Sequence, residues 1–147
     1  MSGNGTITGP VTDSGTLAAI GGNLVFTGAL GNSANGTLTG GTYSAGAGST
    51  LSLTGGAIKL DAAHLILSGA GSEITFGGTA IENSLTTIAK GAALQILGGR
   101  NYTTTQKLTN SGTLALGGGV LTAKALNDKG TSVTDRVRHA GHQPHER

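Results

Sequence analysis

The chain has 147 residues, enough for one domain, and glycine supplies 28 of them. Aromatic residues make up 3% and charged residues 11%, and cysteine and tryptophan are absent, so a conventional core of large side chains is not expected. The low charge argues against the highly charged kind of disorder, and glycine lacks the three-residue spacing of collagen. The composition therefore favours short strands of small aliphatic residues joined by tight turns.

The distribution of charge and of apolar residues excludes two classes of partner. Residues 1–127 contain five basic and four acidic side chains, so we expect no nucleic-acid binding, which needs a clustered basic surface. No apolar run reaches the roughly 18–20 residues that span a bilayer, and we expect no membrane insertion by this segment. The sequence also opens without the basic and apolar regions of a signal peptide.

A recurring phrase consists of a small turn, then alternating aliphatic residues, then a glycine pair. Its first aliphatic residues lie 21, 13, 23, 20 and 20 positions apart, so one irregular step interrupts a spacing of about twenty. The phrases begin at these residues in chain order: Leu17, Leu38, Leu51, Ile74, Leu94 and Leu114.

Each phrase alternates apolar and polar residues with the period of a β-strand. Leu51 and Leu53 can point inward while Ser52 and Thr54 face water. Only residues 84–97 are ambiguous, because their apolar spacing also fits part of a helix. The residues between phrases are Gly, Asn, Ser and Asp, which tolerate the backbone conformations of turns.

Strand phrases every twenty residues permit an antiparallel sandwich or a parallel β-solenoid. A sandwich needs closer turn signals and larger core residues, whereas a solenoid stacks each residue on its equivalent one coil later. The spacing predicts Leu94 above Ile74 and Leu114 above Leu94. We therefore predict an all-β, parallel β-solenoid with coils of about 20 residues, in which six coils form a rod on the order of 30 Å long.

The chain changes character after residue 127. Seven of the residues at 128–147 are charged, three of the four histidines are there, and the glycine-pair phrase does not return. We predict a solenoid segment over 1–127 and a polar, disordered tail over 128–147. One explanation of the change is that a truncated or frame-shifted gene replaced native repeats.

Two constellations have the residue types of functional sites. His139, His142 and His145 have a spacing that can present imidazoles to a transition metal, but a tail holds no fixed geometry. Asp61 and Glu82 are 21 residues apart and can stack on neighbouring coils, where paired carboxylates can act as acid and base. We interpret the carboxylates as solvated surface groups and predict no catalytic, cofactor-binding or metal-binding residues.

Other motifs give no stronger signal. There is no Gly-x-Ser-x-Gly elbow with a plausible triad, no P-loop, no dinucleotide fingerprint and no calcium-binding nonapeptide. His64 is expected at the rim of the solenoid. Asn4, Asn35 and Asn101 begin Asn-x-Thr triplets, which we attribute to turn chemistry. Paired threonines lie too far apart to form a flat ice-binding array.

The phrases at 41–51, 65–72, 98–104 and 108–114 carry a family resemblance. The segment from about 36 to 127 resembles the β-helical repeats of large secreted or surface-anchored bacterial proteins, namely autotransporter passenger domains and filamentous-haemagglutinin-like adhesins. Residues 14–28 are similar to the haemagglutinin type of coil. The resemblance implies a right-handed parallel β-helix that is exported to the cell surface and acts as a stalk or adhesive rod.

The leading hypothesis is therefore a non-enzymatic structural or adhesive segment of a secreted or cell-surface bacterial protein. Its expected partners are further coils of a longer parent chain, other copies recruited through uncapped ends, and host or cell-surface glycans or proteins. Two alternatives stay open. One is a fragment of a β-helical polysaccharide lyase or hydrolase, and the other is a partial gene product without selected function.

Overall fold

The computed structural model of the protein describes residues 4–133 and 137–139. This part of the chain is almost entirely β-structure, and its one helical element is a single 3-10 turn at Ile81–Asn83. The long-range strand pairs are parallel and join residues about 22 positions apart. The chain is thus a parallel β-solenoid, and the predicted fold class is confirmed.

The strands lie on three faces that the chain visits in the same order in every coil. Face 1 contains β1 (Gly5–Ile7), β3 (Leu24–Phe26), β6 (Thr50–Leu53), β8 (Glu73–Phe76), the short β9 (Thr79–Ala80), β12 (Tyr102–Thr103), β15 (Leu121–Ala123) and β18 (Val137–His139). Face 2 contains β4 (Ser33–Ala34), the first halves of β5 (Thr37–Ala45) and β7 (Leu60–Ser68), and β10 (Thr87–Ile88), β13 (Lys107–Asn110) and β16 (Ala125–Asp128). Face 3 contains β2 (Thr16–Ala19), the second halves of β5 and β7, and β11 (Ala93–Leu97), β14 (Thr113–Leu116) and β17 (Thr131–Val133).

The core consists of aliphatic and aromatic side chains stacked from coil to coil. On face 3, Tyr43 pairs with Leu65, Leu65 with Leu94, and Leu94 with Leu114, and all four are buried. The predicted contact of Leu114 with Leu94 is therefore confirmed. The predicted contact of Leu94 with Ile74 is wrong, because Ile74 lies on face 1 and pairs with Leu51.

The connections between faces differ in how much their lengths vary. Every described turn from face 3 to face 1 that joins two complete coils has four residues, at 20–23, 46–49, 69–72, 98–101 and 117–120. The connections from face 1 to face 2 range from ten residues at 77–86 to one residue at Lys124. The recurring glycine pairs do not share one position in the coil: three fall in the four-residue turns, at 21–22, 98–99 and 117–118, two fall just beyond β6 and β8, at 55–56 and 77–78, and one lies within β5 at 40–41. Each pair includes at least one residue with a positive φ angle.

The corner between faces 2 and 3 is closed by carboxylate and carboxamide side chains. The Oδ1 atoms of Asp13, Asp61, Asn110 and Asp128 each accept a hydrogen bond from the backbone N–H two residues later, at distances of 2.8–3.2 Å. Such local bonds hold the sharp bend that turns one face into the next.

Strand pairing continues past residue 127, the predicted end of the solenoid. β17 pairs with β14, and β18 pairs with β15, both in parallel. Most of the tail beyond these strands lies outside the described residues, so its disorder and the boundary at 127 stay predictions. Among the described residues, no helix is long and apolar enough to cross a membrane.

Candidate functional site

Face 1 is interrupted between the fourth and fifth coils. β8 and β12 occupy successive positions on this face, yet they belong to separate sheets. The segment after β8 turns back instead, and β9 pairs antiparallel with β8 before the 3-10 turn begins. Because the ladder is broken here, backbone groups that pair elsewhere on face 1 need other partners.

The side chain of Arg100 spans this interruption. Its Nε and Nη2 atoms donate to the carbonyl oxygen of Ser72 at 3.0 and 2.7 Å, and its Nη1 donates to the carbonyl of Asn101 at 2.7 Å. Ser72 precedes β8 and Asn101 precedes β12. The guanidinium therefore joins the fourth coil to the fifth where the strands do not.

Two glutamates surround the same guanidinium. Arg100 Nη2 donates to Glu82 Oε2 at 2.8 Å and lies 3.7 Å from Glu73 Oε1. The Arg100 and Glu82 side chains are 8% and 15% exposed, whereas Glu73 is 31% exposed. β8 supplies Glu73 and the 3-10 turn supplies Glu82, so the excursion of the chain after β8 is what brings the two carboxylates together.

The two carboxylates differ in their electrostatic environment. Burial raises the pKa of Glu73 to about 7, and the neighbouring Glu82 carboxylate adds to the rise, while Arg100 opposes it. One cation thus stands beside two acids, and the raised pKa leaves the Glu73 carboxyl group partly protonated near neutral pH. Such a pair can in principle act as an acid and a base.

The carboxylates face a cleft of about 360 Å³. The residues that line it are Ala70, Gly71, Ser72, Glu73, Glu82, Gly99, Arg100, Asn101 and Thr103. Tyr102 lies in the core next to this cleft, and burial and the charge of Glu82 raise its pKa above the ordinary value. Its hydroxyl is buried and has no hydrogen-bond partner among the described residues.

Asp61 does not join this site. Its register neighbours are Leu38 and Ile88, so the predicted stacking of Asp61 on Glu82 is wrong. The longer third-to-fourth coil step moves Glu82 out of the strand register and into the 3-10 turn. Asp61 is buried, its Oδ1 accepts from the backbone N–H of Ala63, and burial raises its pKa to about 8.

The other polar residues of the sequence analysis take structural positions. His64 is exposed between Thr42 and Ala93 on face 3. The Oδ1 atoms of Asn4 and Asn101 accept backbone N–H groups of the following coil, at 2.8 and 2.9 Å. Asn35 has a positive φ of 53°. These roles agree with the predicted turn chemistry.

The predicted histidine constellation lies almost wholly outside the described residues, which include only the backbone of His139 in β18 and neither His142 nor His145. In the part of the chain that the structure describes, no three His, Cys, Asp or Glu side chains come together as metal ligands.

Sequence reasoning missed Glu73 and Arg100 as site residues. Glu73 occupies an outward position of a regular strand phrase, and Arg100 follows an ordinary glycine pair. The signal that could have indicated this site is the length of the coil that contains it. His64 and Ala93 are paired neighbours although they are 29 positions apart, which means that extra chain must leave the stack between them.

Comparison of the chain with protein families, with curated proteins and with solved structures finds no match.

Proposed function

We propose that the chain is a non-enzymatic structural or adhesive segment of a secreted or cell-surface bacterial protein. The observation that carries this proposal is the unbroken stacking of face 3 through six coils and of face 2 through the last five of them. Each coil contacts only its neighbours, so length is gained without a new core. A rod of this kind holds a surface at a distance from its point of attachment.

The outward side chains of face 2 supply the contact surface. They form one register column from coil to coil: Thr37, Leu60, Thr87, Thr109 and Asn127. Four of these five side chains carry a hydroxyl or amide group, which can donate and accept hydrogen bonds without the desolvation cost of charges. Glycans, and polar protein surfaces, are the partners that this chemistry fits. Further coils of a longer parent chain are the partners proposed for the ends of the rod.

The contact surface is tested by binding to an array of bacterial and host cell-surface glycans and matrix proteins. We expect Thr87→Lys combined with Thr109→Lys to weaken binding about tenfold or more, because two long side chains on adjacent coils would cover the contact surface. The matched control is Ser52→Lys with Thr75→Lys, an equally stacked pair on face 1. Absence of binding by the unmodified chain, or equal loss in both variants, would contradict an adhesive role for face 2.

A second candidate function is supported by the cleft at the interruption of face 1. Glu73 and Glu82 there form a carboxylate pair with one raised pKa, which is the arrangement expected of an enzyme that cleaves glycans by acid–base chemistry. The candidate is a β-helical polysaccharide hydrolase or lyase.

This alternative is tested by incubating the chain with polysaccharides and measuring the release of reducing ends. If the cleft is catalytic, Glu73→Gln and Glu82→Gln should each lower the rate by a factor on the order of 100 or more, and Asp61→Asn, which changes a carboxylate outside the cleft, should not. Absence of activity across acidic and neutral polysaccharides would favour the structural proposal.

A further inference from the structure

Two places in the chain carry the same triplet, Asn-Gly-Thr, in different surroundings. The triplets lie at 4–6 and 35–37. An asparagine before a glycine has a side-chain carboxamide that the next backbone nitrogen can approach closely, because glycine has no side chain to hinder it. Asn4 and Asn35 are both exposed, so the two triplets differ in their hydrogen bonds and not in their access to water.

The triplet at 4–6 is held by hydrogen bonds to the next coil. The Oδ1 atom of Asn4 accepts the backbone N–H of Asn23 at 2.8 Å, and the N–H of Gly5 donates to the carbonyl oxygen of Asn23 at 2.9 Å. The side-chain carbonyl group and the nitrogen that would attack it are therefore both engaged. Any reaction between them requires that these bonds break first.

The triplet at 35–37 lacks such bonds. Asn35 and Gly36 form the two-residue turn between β4 and β5, with positive φ angles of 53° and 78°, as in tight hairpins. Among the described residues, neither the Asn35 carboxamide nor the Gly36 N–H has a hydrogen-bond partner. Because β4 has only two residues, a local opening of the turn breaks few bonds and lets the Gly36 nitrogen rotate toward the Asn35 side chain.

We infer that Asn35 is a site of spontaneous deamidation in the folded protein. The Gly36 nitrogen loses its proton to solvent and attacks Cγ of Asn35. The new C–N bond closes a cyclic succinimide, and the side-chain nitrogen leaves as ammonia. Water then adds to either carbonyl group of the ring. The product is aspartate or isoaspartate, and in isoaspartate the main chain runs through the former side chain.

The modification changes the turn in two ways. It adds a carboxylate close to the side chain of Lys59, which lies beside Gly36. The isoaspartate form also adds a methylene group to the main chain of a turn whose Gly36 carbonyl oxygen accepts the N–H groups of Lys59 and Leu60, at 2.8 and 3.0 Å. We therefore expect deamidation to loosen the attachment of this turn to the third coil.

The two identical triplets allow a test within one molecule, and the test does not depend on the proposed adhesive role. The unmodified chain is incubated at neutral pH, and mass spectrometry of its peptides measures the replacement of the carboxamide by a carboxyl group. We expect Asn35 to react about tenfold faster than Asn4, or more, because two hydrogen bonds hold Asn4 and Gly5. In concentrated urea the two rates should become equal.

Three results would overturn the inference. They are no reaction at Asn35 in the folded chain, a reaction at Asn4 that is equally fast or faster, and a difference between the two sites that persists in urea. The last result would assign the difference to the neighbouring sequence and not to the hydrogen bonds. The rate at Asn35 should also rise with pH, because the attacking nitrogen must be deprotonated.

A pair of variants identifies the reacting residue. Asn35→Gln keeps a carboxamide in the turn, but its longer side chain does not close the same ring, so most of the deamidated product should disappear. The matched control, Asn4→Gln, should leave the amount of product unchanged. Equal amounts of product in both folded variants would show that another asparagine reacts. If circular dichroism shows that Asn35→Gln does not fold, the comparison within the unmodified chain still decides the inference.

Discussion

The carboxyl group of Asp61 is buried in the apolar core of the solenoid. Its Oδ1 is bonded to the N–H of Ala63, but its Oδ2 is buried without a partner among the described residues. Desolvation raises its pKa from 3.8 to about 8, so the folded chain keeps a proton that the unfolded chain releases. The acceptor oxygen at this position does not need a charge, since the same position two coils later is Asn110, whose Oδ1 makes the equivalent bond.

Asp61→Asn should therefore remove a pH dependence from the stability of the protein. Between about pH 4 and pH 8 the folded state binds more protons than the unfolded state at this site, so the contribution of Asp61 to stability falls as pH rises. The variant keeps the bond to Ala63, so its stability relative to that of the unmodified protein should rise by about 5 kcal/mol between pH 4 and pH 8. Urea unfolding at a series of pH values measures the difference.

The matched control is Asp128→Asn, a variant of a corner residue of the same type. Asp128 accepts the N–H of Gly130, and a hydrogen bond from Ser132 lowers its pKa despite some burial. Its contribution has the opposite sign, because it is present above the unfolded pKa and is lost as pH falls. If Asp61→Asn and the unmodified protein show the same dependence of stability on pH, the Asp61 carboxyl group of the folded chain is not protonated in this pH range.

Arg100 shows how one side chain replaces part of a β-ladder. Two of its nitrogen atoms bond across the interruption to the carbonyl of Ser72 and to Glu82, and the third bonds to the carbonyl of Asn101 beside it. A lysine at this position would supply a charge but not the planar fork that reaches Ser72 twice. The same guanidinium group also contacts Glu73 and Glu82. The candidate site therefore forms because Arg100 replaces the missing strand pairing at the interruption.

The segment between β8 and β10 depends on two adjacent glycines at its start. Gly77 and Gly78 both have positive φ angles, 60° and 83°. A Cβ atom on Gly77 would collide with the carbonyl oxygen of Gly55 in the coil before it, whereas a Cβ atom on Gly78 meets nothing within 4 Å. The first glycine is thus required by packing and by conformation, and the second by conformation alone.

We expect alanine substitutions to separate these two requirements. Gly78→Ala should lower the free energy of unfolding by about 1 kcal/mol, the cost of a left-handed alanine. Gly77→Ala should lose on the order of 2 kcal/mol more, because the backbone of the neighbouring coil has to move. Urea unfolding of both variants provides the comparison. Equal losses would mean that the close approach to Gly55 does not constrain the segment.

At the scale of elements, alternation and glycine pairs predicted strands and turns correctly, as at Leu51–Leu53 on β6. They did not predict which face a strand joins. Leu94 and Ile74 belong to equally good phrases 20 residues apart, yet they lie on faces 3 and 1. The alternating pattern records only inward and outward directions, and three faces share that pattern. The ambiguous residues at 84–97 form β10 and β11 for the same reason, since burial in a stack outweighs weak helical spacing.

For the whole molecule, the repeat was sufficient to predict a solenoid, because stacking requires only that like residues return at a steady interval. The candidate site was not predictable in this way. It arises where the interval fails, between Leu60 and Thr87, which pair although they are 27 positions apart. A departure from periodicity has no pattern of its own, and the partners of Arg100 become visible only when the coils are assembled.

The unequal connections have a consequence for how such a molecule can grow and be altered. Between face 1 and face 2, one residue or ten can be accommodated while the strands of faces 2 and 3 keep their pairing, although β8 and β12 of face 1 do not pair at the ten-residue connection. The four-residue turns allow no such freedom, since each aligns the next coil with the one below. The corner between faces 1 and 2 therefore tolerates insertions. A foreign peptide can be inserted at Lys124 or within 54–59 without changing the strand register of the neighbouring coils. A duplication of part of the sequence, by contrast, keeps the register of strand pairing only when the duplicated segment consists of whole coils.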